Sequence, residues 1–126
     1  MIQGIGVDIV EIARIENLLN EFGERFANRI LTSDELDEFN RRKRPSAYLA
    51  TRFAAKEAVA KALGTGIGKD IGFQTVQVYN DEKGKPTLRF LGHTAELIRQ
   101  RDINSSMISL SDEKHYVVAM VIMESY

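Results

Sequence analysis

Residues 45–68 read PSAYLATRFAAKEAVAKALGTGIG, and this stretch decides the architecture that the sequence predicts. Pro45 suits the first turn of a helix, and helical spacing then continues as far as Leu63. A glycine-rich loop, residues 64–68, ends the helix. Because the helix is rich in alanine, another backbone can approach it closely. We therefore expect a long central helix that is covered by the rest of the chain.

Helical patterns dominate the chain before this stretch, and strand patterns dominate the chain after it. Residues 1–8 alternate as a strand, and helices are predicted over 9–22, over 25–30 and from the capping box that begins at Thr32. After the central helix, the patterns predict a short helix over 93–101 and strands over 73–79, 87–91, 107–111 and 116–123. This order predicts an α+β fold with a mostly antiparallel sheet packed against the long helix. A length of 126 residues fits one domain over 1–126.

Composition excludes several classes of protein. The chain has no cysteine, which excludes a disulfide framework, a thiolate nucleophile and a cysteine zinc site. Its net charge of -1 gives no general attraction to nucleic acid or to a membrane, so we expect neither partner. The first residues lack the basic start of a signal peptide, and the longest apolar run, 116–123, is too short to cross a bilayer. We expect a cytoplasmic protein.

Asp8 is the first candidate site residue, because it is a carboxylate at the end of an apolar strand pattern. Burying an unpaired charge is costly, so Asp8 needs a partner. One interpretation is that Asp8 caps the first helix, since Asp8 and Glu11 have capping-box spacing. The other is a metal ligand beside Gly4 and Gly6, whose lack of side chains would leave room for a phosphate.

Glu57 is the second candidate, and helical spacing places it on one face with Phe53 and Lys61. Glu57 and Lys61 could be an ordinary surface pair at i, i+4, worth a few tenths of a kcal/mol. Alternatively, Glu57 is a second metal carboxylate with a phosphate-binding lysine beside it. Two carboxylates together with substrate phosphates are a usual way to hold Mg²⁺.

Two further stretches carry weaker signals. The glycine loop, followed by Lys69, lacks the ending of a P-loop and needs no function as a helix terminator. Its backbone would still allow a phosphate or an extended ligand to lie close. The basic block 41–44 is either a solvated charge run or a binding site for a phosphomonoester. A second basic face with an apolar contact, suited to an acidic partner, consists of Arg14, Leu18, Arg25 and Arg29.

Taken together, these stretches resemble the holo-acyl-carrier-protein synthase family of phosphopantetheinyl transferases. The resemblance runs nearly end to end, and its most specific part is RFAAKEAVAKALGTG at 52–66. Its other carriers are GIGVDIVEIARI at 4–15, RFANRILT at 25–32, and the segments 80–86 and 109–122. It implies the phosphopantetheinyl transferase fold and transfer of phosphopantetheine from coenzyme A to a serine of apo acyl carrier protein, for fatty acid biosynthesis.

The resemblance also implies roles for individual residues. Asp8 and Glu57 would bind Mg²⁺ or Mn²⁺, and Glu57 and Lys61 would be catalytic. Coenzyme A, as substrate, would be bound by Arg42, Arg44, Arg52, Lys61, Gly64 and Gly66. The carrier protein would dock on Arg14, Leu18, Arg25 and Arg29. The family implies a homotrimer with active sites between subunits.

One position departs from the family pattern. Many relatives carry a histidine where this chain has Met107, and a thioether does not serve as a proton acceptor. We therefore expect Glu57, directly or through a metal-bound water, to take the proton from the serine. Three alternatives are a related transferase for a different carrier protein, a non-catalytic module that holds a structural cation, and a nucleic-acid binder. The near-neutral charge and the lack of interleaved aromatic and basic residues argue against the third.

Overall fold

The computed structural model describes residues 1–68 and 70–126; Lys69, directly after the glycine loop, lies outside the described residues. Along the chain, the strands and helices follow in the order β1, α1 to α4, β2, β3, α5, β4, β5. The helices are α1 (Ile12–Phe22), α2 (Glu24–Ile30), α3 (Ser33–Arg41), α4 (Pro45–Leu63) and α5 (Gly92–Gln100). The strands are β1 (Ile2–Glu11), β2 (Val76–Asn80), β3 (Pro86–Phe90), β4 (Ser105–Asp112) and β5 (Tyr116–Glu124).

The predicted α+β fold and its long central helix are confirmed. The five strands form two antiparallel sheets, one of three strands in the order β1-β5-β4 and one of two strands, β2-β3. In the larger sheet Asp8 pairs with Ala119 and Ile108 pairs with Val121. Helix α4 packs across β1 and β5. It is buried along most of its length, so it forms the centre of the core.

Two boundaries differ from the sequence prediction. Strand β1 extends to Glu11, where it still pairs with Tyr116, so α1 begins at Ile12 rather than at residue 9. The predicted strand over 73–79 begins instead with a 3-10 helix, Phe73–Thr75. The Thr75 side chain explains this turn, because its hydroxyl lies 3.1 Å from both the amide nitrogen and the carbonyl oxygen of Gly72.

The glycines of β1 serve the contact with α4. A Cβ atom added at Gly4 would lie 1.9 Å from the carbonyl oxygen of Ala62, and one at Gly6 would lie 1.9 Å from that of Ala58. The expectation that these glycines leave room for a phosphate is therefore wrong, because helix backbone fills that space. The expectation that another backbone approaches the alanine-rich helix is confirmed.

The two faces of the larger sheet differ in burial. On the face that meets α4, β5 buries Val117, Ala119, Val121 and Met123. On the opposite face, large apolar side chains are exposed within the single chain: Ile5, Val7, Ile9, Met107 and Met120. Within the single chain, β5 is therefore covered on one face only. Among the described residues, no helix combines the length and apolar character needed to cross a membrane.

Candidate active site

Strand β1 and helix α4 bring Asp8 and Lys61 together. The Lys61 ammonium donates hydrogen bonds to Asp8 Oδ1 and to the Val7 carbonyl oxygen, both at 3.0 Å. The Asp8 side chain is only 14% exposed, whereas that of Lys61 is 53% exposed. Lys61 therefore neutralises a mostly buried carboxylate while its own charge remains accessible to a ligand.

Asp8 does not cap a helix. It lies inside β1, and the residue before α1 is Glu11, whose side chain makes no capping hydrogen bond. Asp8 Oδ2 is buried and has no hydrogen-bond partner in residues 1–68 or 70–126. Since a buried carboxylate oxygen normally has a donor or a cation, this oxygen is available to a metal ion.

Glu57 shares the electrostatic environment of Asp8. Burial is the main cause that raises the pKa of Glu57 above its ordinary value of 4.5, and the negative charge of Asp8 is the second. The positive charges of Lys61 and Arg14 act in the opposite direction. We call Asp8, Glu57 and Lys61 the Asp8 cluster.

The Asp8 cluster has the donor set of a magnesium site that is completed by substrate. Within the described part of the chain, no three histidine, aspartate or glutamate side chains lie together as a preformed metal site. Mg²⁺ is often held by one or two carboxylates together with substrate phosphates and water. The orphaned Asp8 Oδ2, the nearby Glu57 and the exposed Lys61 ammonium fit that pattern.

The glycine loop begins one turn after Lys61. The amide of Gly64 donates to the Lys61 carbonyl oxygen at 3.0 Å, which ties the loop to the end of α4. Gly64 and Gly66 both have positive φ, at 73° and 70°, which favours glycine at these positions. A Cβ atom added at either would meet no atom of residues 1–68 or 70–126 within 4 Å, so no described residue blocks the backbone on this side.

Two of the three arginines predicted for the coenzyme A site, Arg42 and Arg52, lie over the ring of Tyr48. The guanidinium carbon of Arg52 lies 4.4 Å from the centre of the Tyr48 ring, and that of Arg42 lies 5.0 Å from it. Arg42, Arg44 and Arg52 also line one open cavity of about 500 Å³, together with Asn80 and Pro86. We call Arg42, Arg44 and Arg52 the arginine cluster.

Arg52 has a buried donor without a partner in the described part of the chain. Its residue is 7% exposed, and Nε is buried without a hydrogen-bond partner among the residues that the structure describes. Its Nη1 donates to the Thr51 hydroxyl at 3.2 Å. A buried guanidinium normally has all its donors satisfied, so a ligand oxygen in the cavity would complete it.

The Asp8 cluster and the arginine cluster lie on different faces of α4. Arg52 and Glu57 are five residues apart, and at about 100° per residue their side chains diverge by about 140° around the helix axis. Lys61 follows Glu57 by one further turn. A single chain therefore presents the two clusters in different directions.

The predicted docking residues lie near α1 and α2, and their surface is less uniformly basic than expected. Arg14, Arg25 and Arg29 are exposed, and Leu18 is half-buried. Arg14 and Leu18 share a groove with Asn17 and two carboxylates, Glu11 and Glu21. Phe22, at the end of α1, is 44% exposed.

Sequence reasoning missed three relationships. Tyr48 lies one turn before Arg52, a spacing that could have indicated the stacking contact. Arg14 influences Glu57 from another element, and no local pattern indicates that. Lys56, next to Glu57 in the sequence, is fully buried against Glu35, 21 residues away. A lysine in the middle of an alanine-rich helix was the only signal for this pair.

The chain matches the family model of the 4′-phosphopantetheinyl transferase superfamily over residues 4–121. It is 52% identical over 124 residues to a holo-[acyl-carrier-protein] synthase from Pseudoalteromonas atlantica, a match that covers 98% of each chain. It is 50% identical over 124 residues, again with 98% of each covered, to the protein of the same name from Vibrio parahaemolyticus.

Solved structures give the same result. The crystal structure of the Neisseria meningitidis holo-[acyl-carrier-protein] synthase matches with a TM-score of 0.95 and 44% identity, over 99% of this chain and 100% of that chain. The Bacillus anthracis synthase, solved in complex with CoA (3′,5′-ADP), matches with a TM-score of 0.84 and 40% identity, over 100% and 99%.

Proposed function

Since the chain belongs to the 4′-phosphopantetheinyl transferase superfamily as a holo-[acyl-carrier-protein] synthase, we propose that it modifies apo acyl carrier protein with coenzyme A as donor. The serine hydroxyl of the carrier attacks the phosphate next to pantetheine, a new P–O bond forms, and adenosine 3′,5′-bisphosphate leaves. The product would serve fatty acid biosynthesis in the cytoplasm. The observation that carries this proposal is the Asp8 cluster, in which a buried carboxylate oxygen without a partner among the described residues lies beside an exposed ammonium.

Asp8 and Glu57 are the residues that would hold Mg²⁺, or Mn²⁺ in its place. Their carboxylates share one electrostatic environment, and oxygen ligands are those that both ions prefer. When bound, such an ion supplies Lewis-acid stabilisation of the charge that develops on the phosphoryl oxygens and the leaving group.

Lys61 orients the donor. Its ammonium lies at Asp8 in the structure and is exposed on its other side, so it can form an ion pair with a pyrophosphate oxygen next to the metal carboxylates. A positive charge held in place before the reaction stabilises developing negative charge without the cost of reorganisation. The open backbone at Gly64 and Gly66 would let the phosphates or the pantetheine arm pass close by.

Glu57 is the residue that we propose as general base. Its raised pKa brings it closer to the working pH than an ordinary glutamate, which favours proton transfer. Met107 lies on the exposed outer face of the sheet, opposite Ile122, and its thioether is no proton acceptor. Glu57 would accept the serine proton directly or through a water molecule.

The arginine cluster would bind the 3′-phosphate and adenosine end of coenzyme A. Arg52 supports this role with a buried Nε that has no partner in residues 1–68 or 70–126, and Asn80 and Pro86 line the same cavity as the three arginines. Structures of relatives from Bacillus anthracis and Helicobacter pylori contain CoA (3′,5′-ADP) and coenzyme A respectively.

We further propose a homotrimer with active sites between subunits. The exposed apolar side of the larger sheet, with Ile5, Val7, Ile9, Met107 and Met120, is a surface that further copies of this chain would cover. The divergence of Arg52 and Glu57 around α4 supports sites in which one chain supplies the Asp8 cluster and its neighbour supplies the arginine cluster. Residues 1–126 would act in each subunit as one transferase domain.

The carrier protein would dock on the surface that contains Arg14, Leu18, Arg25 and Arg29. Arg14 lies on α1 and also acts on Glu57, so this surface adjoins the Asp8 cluster. A carrier that is held by its acidic side on these arginines would present its serine to Glu57.

The decisive experiment mixes the protein with apo acyl carrier protein, coenzyme A and Mg²⁺, and follows the carrier by intact-protein mass spectrometry. We expect the carrier to gain the mass of one phosphopantetheine, and adenosine 3′,5′-bisphosphate to form in equal amount. Samples with excess chelator, or with a carrier in which the acceptor serine is alanine, should show no gain. Tight Mg²⁺ binding without any transfer would favour the structural-cation module instead.

A further inference from the structure

The most deeply buried charge in the described part of the chain belongs to Lys56, which no step above uses. Its side chain is completely buried in the middle of α4. The ammonium donates three hydrogen bonds, to the Ile30 carbonyl oxygen at 2.7 Å, to Glu35 Oε1 at 2.6 Å and to the Phe73 carbonyl oxygen at 2.7 Å. All three donors of the ammonium are therefore satisfied.

Glu35 connects Lys56 to several further elements of the fold through its own hydrogen bonds. Its Oε1 also accepts from the Thr32 amide at 2.9 Å, and its Oε2 accepts from the Val78 amide at 2.8 Å. Thr32 in turn donates its hydroxyl to Gln77 Oε1 at 2.7 Å. One ion pair thus joins the middle of α4 to the end of α2, the start of α3 and strand β2.

Stability alone does not explain why Lys56 and Glu35 form a buried ion pair. Removing two charges from water is costly, and a well-packed apolar pair of similar size is often equally or more stabilising. Burial lowers the pKa of Lys56, and only the interaction with Glu35 offsets this effect. The hydrogen bond from Lys56 to Glu35 joins α4 to α3 between two defined atoms, so it holds these helices in one relative position.

The position of α3 relative to α4 affects the arginine cluster. Glu35 lies in the first turn of α3, and Glu38 lies one turn later. Both line a second cavity, of about 430 Å³, together with Arg42, Tyr48 and Arg52. The Glu38 carboxylate accepts from Arg41 Nη2 and from Arg42 Nε, both at 2.7 Å. The position of α3 therefore determines where Arg42 stands over Tyr48.

The other side of the cluster depends on α4. Arg52 lies one turn before Lys56, and it stacks on the same Tyr48 ring that Arg42 contacts. A shift or rotation of α3 relative to α4 would separate Arg42 from Arg52 and change the space between them.

We propose that Lys56 and Glu35 are positioning residues for the donor substrate: by fixing α3 against α4, they set the spacing of Arg42 and Arg52 that receives the phosphate at the adenosine end of coenzyme A. Neither residue touches the substrate. The inference rests on the proposed function, because it takes the arginine cluster to be the coenzyme A site.

The test uses the double variant Glu35→Gln/Lys56→Met, which leaves neither partner as an unpaired buried ion. The Kd of adenosine 3′,5′-bisphosphate is measured by calorimetry, and the KM values for coenzyme A and for the carrier are measured separately. We expect the Kd and the KM for coenzyme A to rise about tenfold, equivalent to about 1.4 kcal/mol. The kcat and the KM for the carrier should change by less than about twofold, because the reacting groups are untouched.

A matched control is Thr94→Val. Thr94 is also fully buried, and its hydroxyl lies 2.6 Å from that of Thr75, away from the arginine cluster. This variant should lose stability without a change in the Kd of the bisphosphate. If the double variant does not fold, Glu35→Gln alone is measured in the same way, and the same shift in Kd is expected.

Two results would overturn the inference. One is a folded variant with wild-type Kd and wild-type KM for coenzyme A, which would reduce the pair to a stabilising contact. The other is a fall in kcat at unchanged KM, which would mean that the pair acts on the chemical step. If the wild-type protein neither binds the bisphosphate nor modifies the carrier, the proposed function fails and this inference fails with it.

Discussion

The ammonium of Lys61 lies 3.0 Å from Asp8 Oδ1, while Oδ2 of the same carboxylate is buried without a partner in residues 1–68 and 70–126. The lysine thus satisfies one oxygen of Asp8 and leaves the other free. A cation that binds Asp8 therefore competes with the positive charge of Lys61. We expect the cation to bind more tightly when Lys61 moves from Asp8 toward a substrate phosphate.

Replacing Asp8 by alanine or asparagine should abolish transfer and leave the protein folded. Mg²⁺ should raise the melting temperature of the wild-type protein, because a ligand that binds only the folded state stabilises it, and should not raise that of Asp8→Asn. Glu57→Ala should lose transfer in the same way. The measurements are a carrier-modification assay and thermal melts with and without Mg²⁺.

The control for this prediction is Glu96→Gln. It breaks an exposed ion pair with Arg99, which contributes little to stability because it is screened by solvent, and it should leave transfer intact. A folded Asp8→Asn variant with near-wild-type turnover, or with the wild-type response to Mg²⁺, would contradict the assignment of Asp8 as a metal ligand.

Glu57→Gln should make the metal-free protein more stable at neutral pH. Burial and the charge of Asp8 raise the pKa of Glu57 in the folded state, so the folded chain holds its proton to higher pH than the unfolded chain does. Stability is therefore lost as the pH rises from the unfolded value of about 4.5 through the raised folded pKa. Glutamine, which never ionises, avoids this loss.

The measurement is urea denaturation of both proteins, in the presence of chelator, over about four pH units around the transition. The advantage of the variant should shrink as the pH falls through the raised pKa of Glu57, and it should reach its minimum at about 4.5. An advantage that is constant over the whole range would show that titration of Glu57 is not its cause.

Arg14→Glu should raise the KM for the carrier far more than the KM for coenzyme A. The wild-type KM for the carrier should also rise steeply with salt, since exposed charges are screened over a Debye length of about 8 Å at physiological ionic strength. Arg99→Glu, on the distant α5, makes the same change in net charge and should leave both values unchanged. Equal effects of Arg14→Glu on the two substrates would argue against a dedicated docking surface.

Val7→Lys should dissociate the proposed trimer and abolish transfer. Val7 is exposed on the outer face of β1, opposite Met120, so a lysine there is harmless to a monomer but would place three charges inside an apolar interface. Light scattering gives the mass, and Gln100→Lys, on an exposed helix end, is the control. A monomeric wild-type protein with full activity would refute the trimer.

Mixed subunits test whether the active site is shared. Glu57→Gln damages only the Asp8 cluster, and Arg52→Met damages only the arginine cluster. If the two clusters of one site come from neighbouring chains, co-refolding these two inactive proteins should restore part of the activity. No recovery from a mixture that forms trimers would show that each site lies within one chain.

The sequence predicted those elements whose ends carry local signals. Helix α4 has the predicted bounds because Pro45 favours a first turn and Gly64 adopts the left-handed conformation that ends the helix. The start of α1 was wrong because Asp8 and Glu11 imitate a capping box. Pairing of Glu11 with Tyr116 of β5 continues the strand, and that pairing depends on residues more than 100 positions away in the sequence.

In the candidate site, too, local sequence signals were not enough to identify features that depend on tertiary packing. Local spacing alone favoured a helix cap for Asp8 and a surface pair for Glu57, and the family resemblance was needed to join them. The buried pair of Lys56 and Glu35 was beyond sequence reasoning, because Glu35 already has a local role in the capping box with Thr32. Only the packing of α3 on α4 shows that the same carboxylate also holds a lysine.

The close approach of Gly6 to Ala58 helps to fix the distance between the carboxylates of Asp8 and Glu57. Asp8 follows Gly6 by two residues in β1, and Glu57 immediately precedes Ala58 in α4, so both are mounted on backbones that already touch. Main-chain atoms in contact are nearly incompressible, so heating, or altered side chains deeper in the core, should change the gap between the carboxylates very little. A methyl group added at Gly6 would push β1 away from α4. It would thereby lengthen the distance between the two carboxylates without changing either side chain.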